Sequence, residues 1–224
     1  MNRRQILISG ALLAPAYGIA QMLNQYAEGR DFYEIKYRVT PPHSSKKTSV
    51  ACFMSAEIAE CVSLLPQLAV WMKNHPDVQV TLVHVSAGGM HAVAQRLMAC
   101  AEVLGLGFEA VAAVYANIRS GQHLQSRDDA LALAKRAKLD AAKIASVWDS
   151  DLVNAQVRRY DRMTLSYRVR SAPSFGVSDR YFVPARKENI LSVLDKAIEQ
   201  SKTPKKEWGV SAPTQFISAP SFGR

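Results

Sequence analysis

Ser49-Val-Ala-Cys-Phe-Met-Ser55, followed at once by Ala56-Glu-Ile-Ala-Glu-Cys-Val-Ser-Leu-Leu-Pro-Gln-Leu-Ala-Val-Trp-Met-Lys-Asn74, is the stretch on which the fold turns. Its first part is short, apolar and poor in helix formers, which predicts a buried strand over 49–54. The period then changes. Ile58, Cys61, Leu65, Leu68 and Met72 recur at helical spacing and predict an amphipathic helix over about 57–74, with Pro66 expected to kink it. Val78 to Val85, VQVTLVHV, reads as a second strand, so the segment is a strand–helix–strand unit.

The next eighty or so residues read almost wholly helical. Asp128, Asp129 and Asp140 place negative charge at helix starts, and Ala130, Ala132, Ala134 and Ala137 are strong helix formers. Extended structure returns at Ser174–Val177, turns at Ser178-Asp-Arg180, and continues through Tyr181–Val183 before a last helix over about 187–201. The expected architecture is α/β: strands near 49–54, 78–85, 174–177 and 181–183 in one mixed sheet, two helices packed on it, and a helical insertion between. Residues 202–224 read as a tail rich in Pro, Ser and Gly. Within it Ser218-Ala-Pro-Ser-Phe-Gly223 repeats Ser171-Ala-Pro-Ser-Phe-Gly176, for which there is no physical account.

With 48% hydrophobic and 21% charged residues over 224 positions, the chain can bury a core and is not a disordered polymer. Lys and Arg exceed Asp and Glu, 28 to 19, but are scattered, with no groove-reading motif. Nucleic acid is therefore not an expected partner; the charge is a solvated surface with a weak affinity for anionic membranes. Asn2-Arg3-Arg4 ahead of the apolar run Ile6–Ala20 reads as a signal peptide cleaved before Gln21, or else as an uncleaved anchor, and the arginine pair also suits twin-arginine export. The histidines at 43, 75, 84, 91 and 123 have no metal-ligand spacing, and no phosphate loop or catalytic triad stands out. No metal or cofactor is expected.

The element order, together with CFMS at 52–55, AEVLGLGFEAVAAVYANI at 101–118, VWDS around Trp148 and SAPSFGVSDRYFV at 171–183, resembles the DsbA family of thiol:disulfide oxidoreductases over roughly residues 31–200. The resemblance implies a thioredoxin-like core at 31–86 and 169–201, a helical insertion at 87–168, and export to the periplasm. It also implies an active-site pair of cysteines at positions 58 and 61. Here the first is Ile58 and the second Cys61, the histidine usual between them is Glu60, and the buried acid six residues before the first cysteine is Cys52. Ala172-Pro173-Ser174 matches the loop whose cis proline faces the active site and lines up extended substrate; a trans turn proline is the alternative.

Two readings of the thiols stand open. Cys52 and Cys61 form a buried disulfide or redox pair, or both are packed as small hydrophobes. Cys100, on a helix of small residues, reads as a core thiol. Glu57 and Glu60 disfavour a Cys61 thiolate. Two functions follow: a redox-inactive protein of the cell envelope that binds a peptide or protein partner through Ile58, Glu60, Ala172 and Pro173, or a divergent oxidoreductase using Cys61, with Cys52 as its second thiol.

Overall fold

Thr48–Met54 forms the central strand, β2, and every side chain from Val50 to Met54 is buried. That explains the unbroken apolar run: a strand covered on both faces has no polar alternation to keep. In the computed structural model the described residues are 26–35, 47–56, 58–85, 92–118, 124–186 and 188–203. The expected signal peptide or anchor at 1–20 and nearly all of the expected tail thus lie outside the described residues.

Five strands form one sheet in the order β1-β5-β4-β2-β3. β2 pairs in parallel with β3 (Val78–His84), Cys52 opposite Leu82, and antiparallel with β4 (Ser174–Val177), Cys52 opposite Phe175. β4 and β5 (Tyr181–Val183) are a hairpin. Its two central residues, Ser178 and Asp179, have φ of 50° and 51°, and Arg180 N–H donates to the Val177 carbonyl at 2.9 Å. Positive φ at both centres is the geometry that matches strand twist, and Asp tolerates it well. The fifth strand, β1 (Tyr33–Glu34), adds to β5 and was not expected from sequence: two exposed residues show no period.

Helix α1 (Ala59–Asn74) joins β2 to β3 and runs through Pro66. Cys61, Leu64, Leu65, Leu68 and Trp71 are its buried face. The expected last helix is α7 (Ile190–Lys202), which starts three residues later than its sequence suggested because Asn189 takes a left-handed φ of 57°. It buries Ile190, Val193, Leu194, Ala197 and Ile198, a regular helical stripe, against β4 and β5. Trp71 Nε1 donates to Asp195 Oδ1 at 2.7 Å and ties α1 to α7.

Between β3 and β4 lie α2 (Ala92–Val103), α3 (Gly107–Asn117), α4 (Arg127–Arg136), α5 (Ala141–Val147) and α6 (Asp151–Ser166). Ser126 and Asp129 form a reciprocal capping box on α4, while Asp140 and Ser150 cap α5 and α6. Small buried residues of α2, Ala94, Ala99, Cys100 and Ala101, let it sit close to α6. The lobe shares one continuous apolar core with the sheet. Gln95 Nε2 joins them, donating to the His84 carbonyl at 3.1 Å and to Asp161 Oδ1 at 2.9 Å.

Candidate functional site

The end of β2 delivers Ser55 and Ala56 to the start of α1, where Ile58 is the N-cap residue. Its side chain cannot accept a hydrogen bond, so the first amides of α1 have no side-chain cap. One turn in, Cys61 is fully buried, and its Sγ accepts from the Ser55 amide at 3.4 Å. Burial pushes the Cys61 thiol up to about 12; the Ser55 amide works against this and Glu60 adds to it. At neutral pH the thiol is therefore protonated.

Cys52 lies beneath, fully buried, and burial first, then Cys61, hold its thiol well above the usual range. Both cysteines are free, as is buried Cys100, so the packed-thiol reading of the pair describes the structure. Tyr115 of α3 is a further buried group: burial, then Cys61 and Cys52, raise its phenol far above normal. Its hydroxyl meets His84 Nδ1 at 2.9 Å. Burial lowers the His84 imidazole to about 3, so it is neutral at every ordinary pH. On β4, directly after Pro173, Ser174 Oγ is buried with no hydrogen-bond partner among the described residues.

The surface above is different. A groove of about 230 Å³ runs between α1 and the start of α7, lined by Glu60, Ser63 and Gln67 on one side and by Arg186, Asn189 and Ser192 on the other, with Pro173 at one wall. The Ala172–Pro173 peptide bond is cis, and Ala172 is buried. Arg186 is held in place by Asp31 Oδ1 at 3.1 Å and by the Tyr26 ring, 5.5 Å from its guanidinium carbon. A larger hollow of about 390 Å³ lies between β3, α2 and α3, walled by Met54, Met72, Met98 and Phe108, and none of the residues expected at the site lines it.

No family model matches the chain. Two curated relatives, the thiol:disulfide interchange protein DsbA of two Pseudomonas aeruginosa strains, are each 21% identical over 211 residues, spanning 92% of this chain and all of the relative. The crystal structure of Pseudomonas aeruginosa DsbA superposes with a TM-score of 0.70 at 19% identity, covering 80% of this chain and 95% of that one. The oxidoreductase DsbA from Xylella fastidiosa gives 0.63 at 20% identity, with 77% and 96% covered. The fold is that of DsbA.

Within the DsbA fold, the residues expected at the site divide into two groups. Glu60 and Pro173 meet at the groove. Cys61 and Cys52 line no part of it and are sealed from solvent, and Ile58 stands half-buried at the helix start. Sequence reasoning missed Tyr115, His84, Ser174 and Arg186. For His84 a signal existed, a lone imidazole inside the apolar run VQVTLVHV, but its partner Tyr115 sits 31 residues on, in a helix with no pattern pointing back.

Proposed function

We propose that this chain is an exported, periplasmic protein of the DsbA fold that has lost the first active-site thiol, Ile58 standing in its place, and that it holds an extended segment of a protein partner in the groove beside Pro173 without exchanging disulfides. The observation that carries this is the burial of Cys61: its sulfur is inaccessible and protonated, and the neighbouring N-cap position offers no second thiol. Disulfide exchange needs an exposed thiolate to attack and another to resolve the mixed disulfide. The groove carries hydroxyl, amide and both signs of charge, which suits a polar segment docked through its backbone.

Oxidative refolding of a reduced substrate protein tests this. The unmodified protein is expected to leave the rate at background. Ile58→Cys with Glu60→His is expected to raise it, because the pair supplies the missing attacker and removes a charge that opposes thiolate. Vigorous oxidase activity in the unmodified protein, abolished by Cys61→Ser, would sink the proposal. A second reading is an oxidoreductase in which Cys61 and Cys52, both free thiols, pass two electrons and two protons to a substrate disulfide. Loss of two titratable thiols from the denatured protein after mixing with a disulfide substrate would support it.

A further inference from the structure

We infer that the outward face of α6 is a docking surface for anionic lipid headgroups. Four arginines, Arg158, Arg162, Arg168 and Arg170, lie exposed on α6 and the turn that leaves it. None of their guanidinium groups makes a hydrogen bond or ion pair among the described residues, whereas Arg159 on the same helix is paired with Glu102. The one acid in the middle of the helix, Asp161, accepts from Gln95; Asp151 sits at its amino end.

Two apolar side chains stand among these charges. Leu152 is 68% exposed and Leu165 is 75% exposed, and only two other large hydrophobic side chains among the described residues, Tyr33 and Val70, are exposed at all comparably. Arg158, Arg162 and Leu165 follow at i, i+4 and i+7, so they form one outward stripe; exposed Leu152 stands at the amino end of the helix, on the flank of that face beside the row of Arg159. The opposite face, Val153, Tyr160 and Met163, is buried in the lobe. A helix fixed by its inner face, with arginines and leucines outward, has the composition of a segment that lies in the plane of a bilayer surface. Guanidinium forks pair with phosphate, and leucine enters the acyl boundary. An acidic protein would satisfy the arginines and leave the leucines in water; a nucleic acid would call for aromatic rings, and the outward stripe has none. The inference stands apart from the groove reading.

The test uses the full chain and vesicles of phosphatidylglycerol with phosphatidylcholine, against phosphatidylcholine alone. Because Ile6–Ala20 offers its own apolar route into a bilayer, the readout is placed on the helix. A polarity-sensitive dye goes on Ser166→Cys; the native cysteines are buried and leave the new thiol as the reactive one. A blue shift of the dye on anionic vesicles only, reversed by about 0.5 M salt, is expected. R158Q/R162Q/R168Q should weaken that response roughly 100-fold, and L152S/L165S should weaken it without changing its salt dependence. Binding without a blue shift, equal response on neutral vesicles, or an unchanged triple variant would overturn the inference. So would capture of the face by polyglutamate with no vesicle response, which would assign it to an acidic protein.

Discussion

Below the first turn of α1, Cys52, Cys61, Tyr115 and His84 are sealed and each is held in its neutral form by burial. Above the same turn, Glu60, Ser63, Gln67 and Arg186 face a groove open to water. One helical turn therefore separates titratable groups that cannot reach a partner from polar groups that can. In this chain the sealed side is part of the core, and the polar groups of the wet side are the ones presented to solvent.

Acid should break the sealed side first. His84 keeps a folded pKa of about 3, while the unfolded imidazole titrates near 6.5. Between these values the unfolded state binds the proton and the folded state does not, so stability is complete above pH 6.5 and falls as pH drops toward 3. The expected slope is on the order of 1.4 kcal/mol per pH unit for this group alone. Urea midpoints measured from pH 8 to pH 4 give the slope, and His84→Leu should flatten it. A wild-type curve flat below pH 6.5 would show that His84 is not sealed.

Alkali should act on the same side with the opposite sign. The Cys61 thiol ionises near 9 when unfolded and near 12 when folded, so its contribution is complete below pH 9 and is lost as pH rises through 12. Cys61→Ala, compared with wild type at pH 8 and pH 10, should show the smaller alkaline loss, even though its stability at pH 8 is lower from the cavity. A smaller effect is expected from Tyr115→Phe. Removing the hydroxyl leaves His84 Nδ1 without its partner in a buried site, a cost of about 1–3 kcal/mol in a thermal or urea melt.

The wet side should respond least in stability. Glu60→Gln and Gln67→Ala are expected to stay within about 0.5 kcal/mol of wild type. If the groove is the docking site, both should weaken capture of an extended partner segment in a binding titration. A large loss of stability from either would erase the distinction between the two sides.

The parts of the fold legible in sequence were those whose burial imposes a period. β2 showed itself as an unbroken apolar run because it is covered on both faces, and α7 as a stripe because it is covered on one. β1 imposed none, since its two residues are held by backbone pairing to β5 while their side chains face water. The start of α7 depended on one left-handed residue, Asn189, that no spacing reveals. At the site, Ile58, Cys61 and Pro173 were found by their place in a familiar order. The His84–Tyr115 pair and the Arg186–Asp31 clamp, which spans 155 positions, depend on tertiary neighbours alone.

Gly176 carries a consequence for how this sequence can vary. A Cβ placed there would lie 2.3 Å from the Tyr167 ring. That ring is buried against Phe53, and its hydroxyl donates to Asp179 at 2.8 Å, so it has nowhere to go. In a library of all single substitutions screened for soluble protein, position 176 should be an almost empty column, while exposed Ser178, with its φ of 50°, should accept chiefly Gly, Asn and Asp. Drift at the hairpin is thus confined to its turn, because the strand that carries the chain away from Pro173 is buried along its whole length and its glycine lies under the tyrosine.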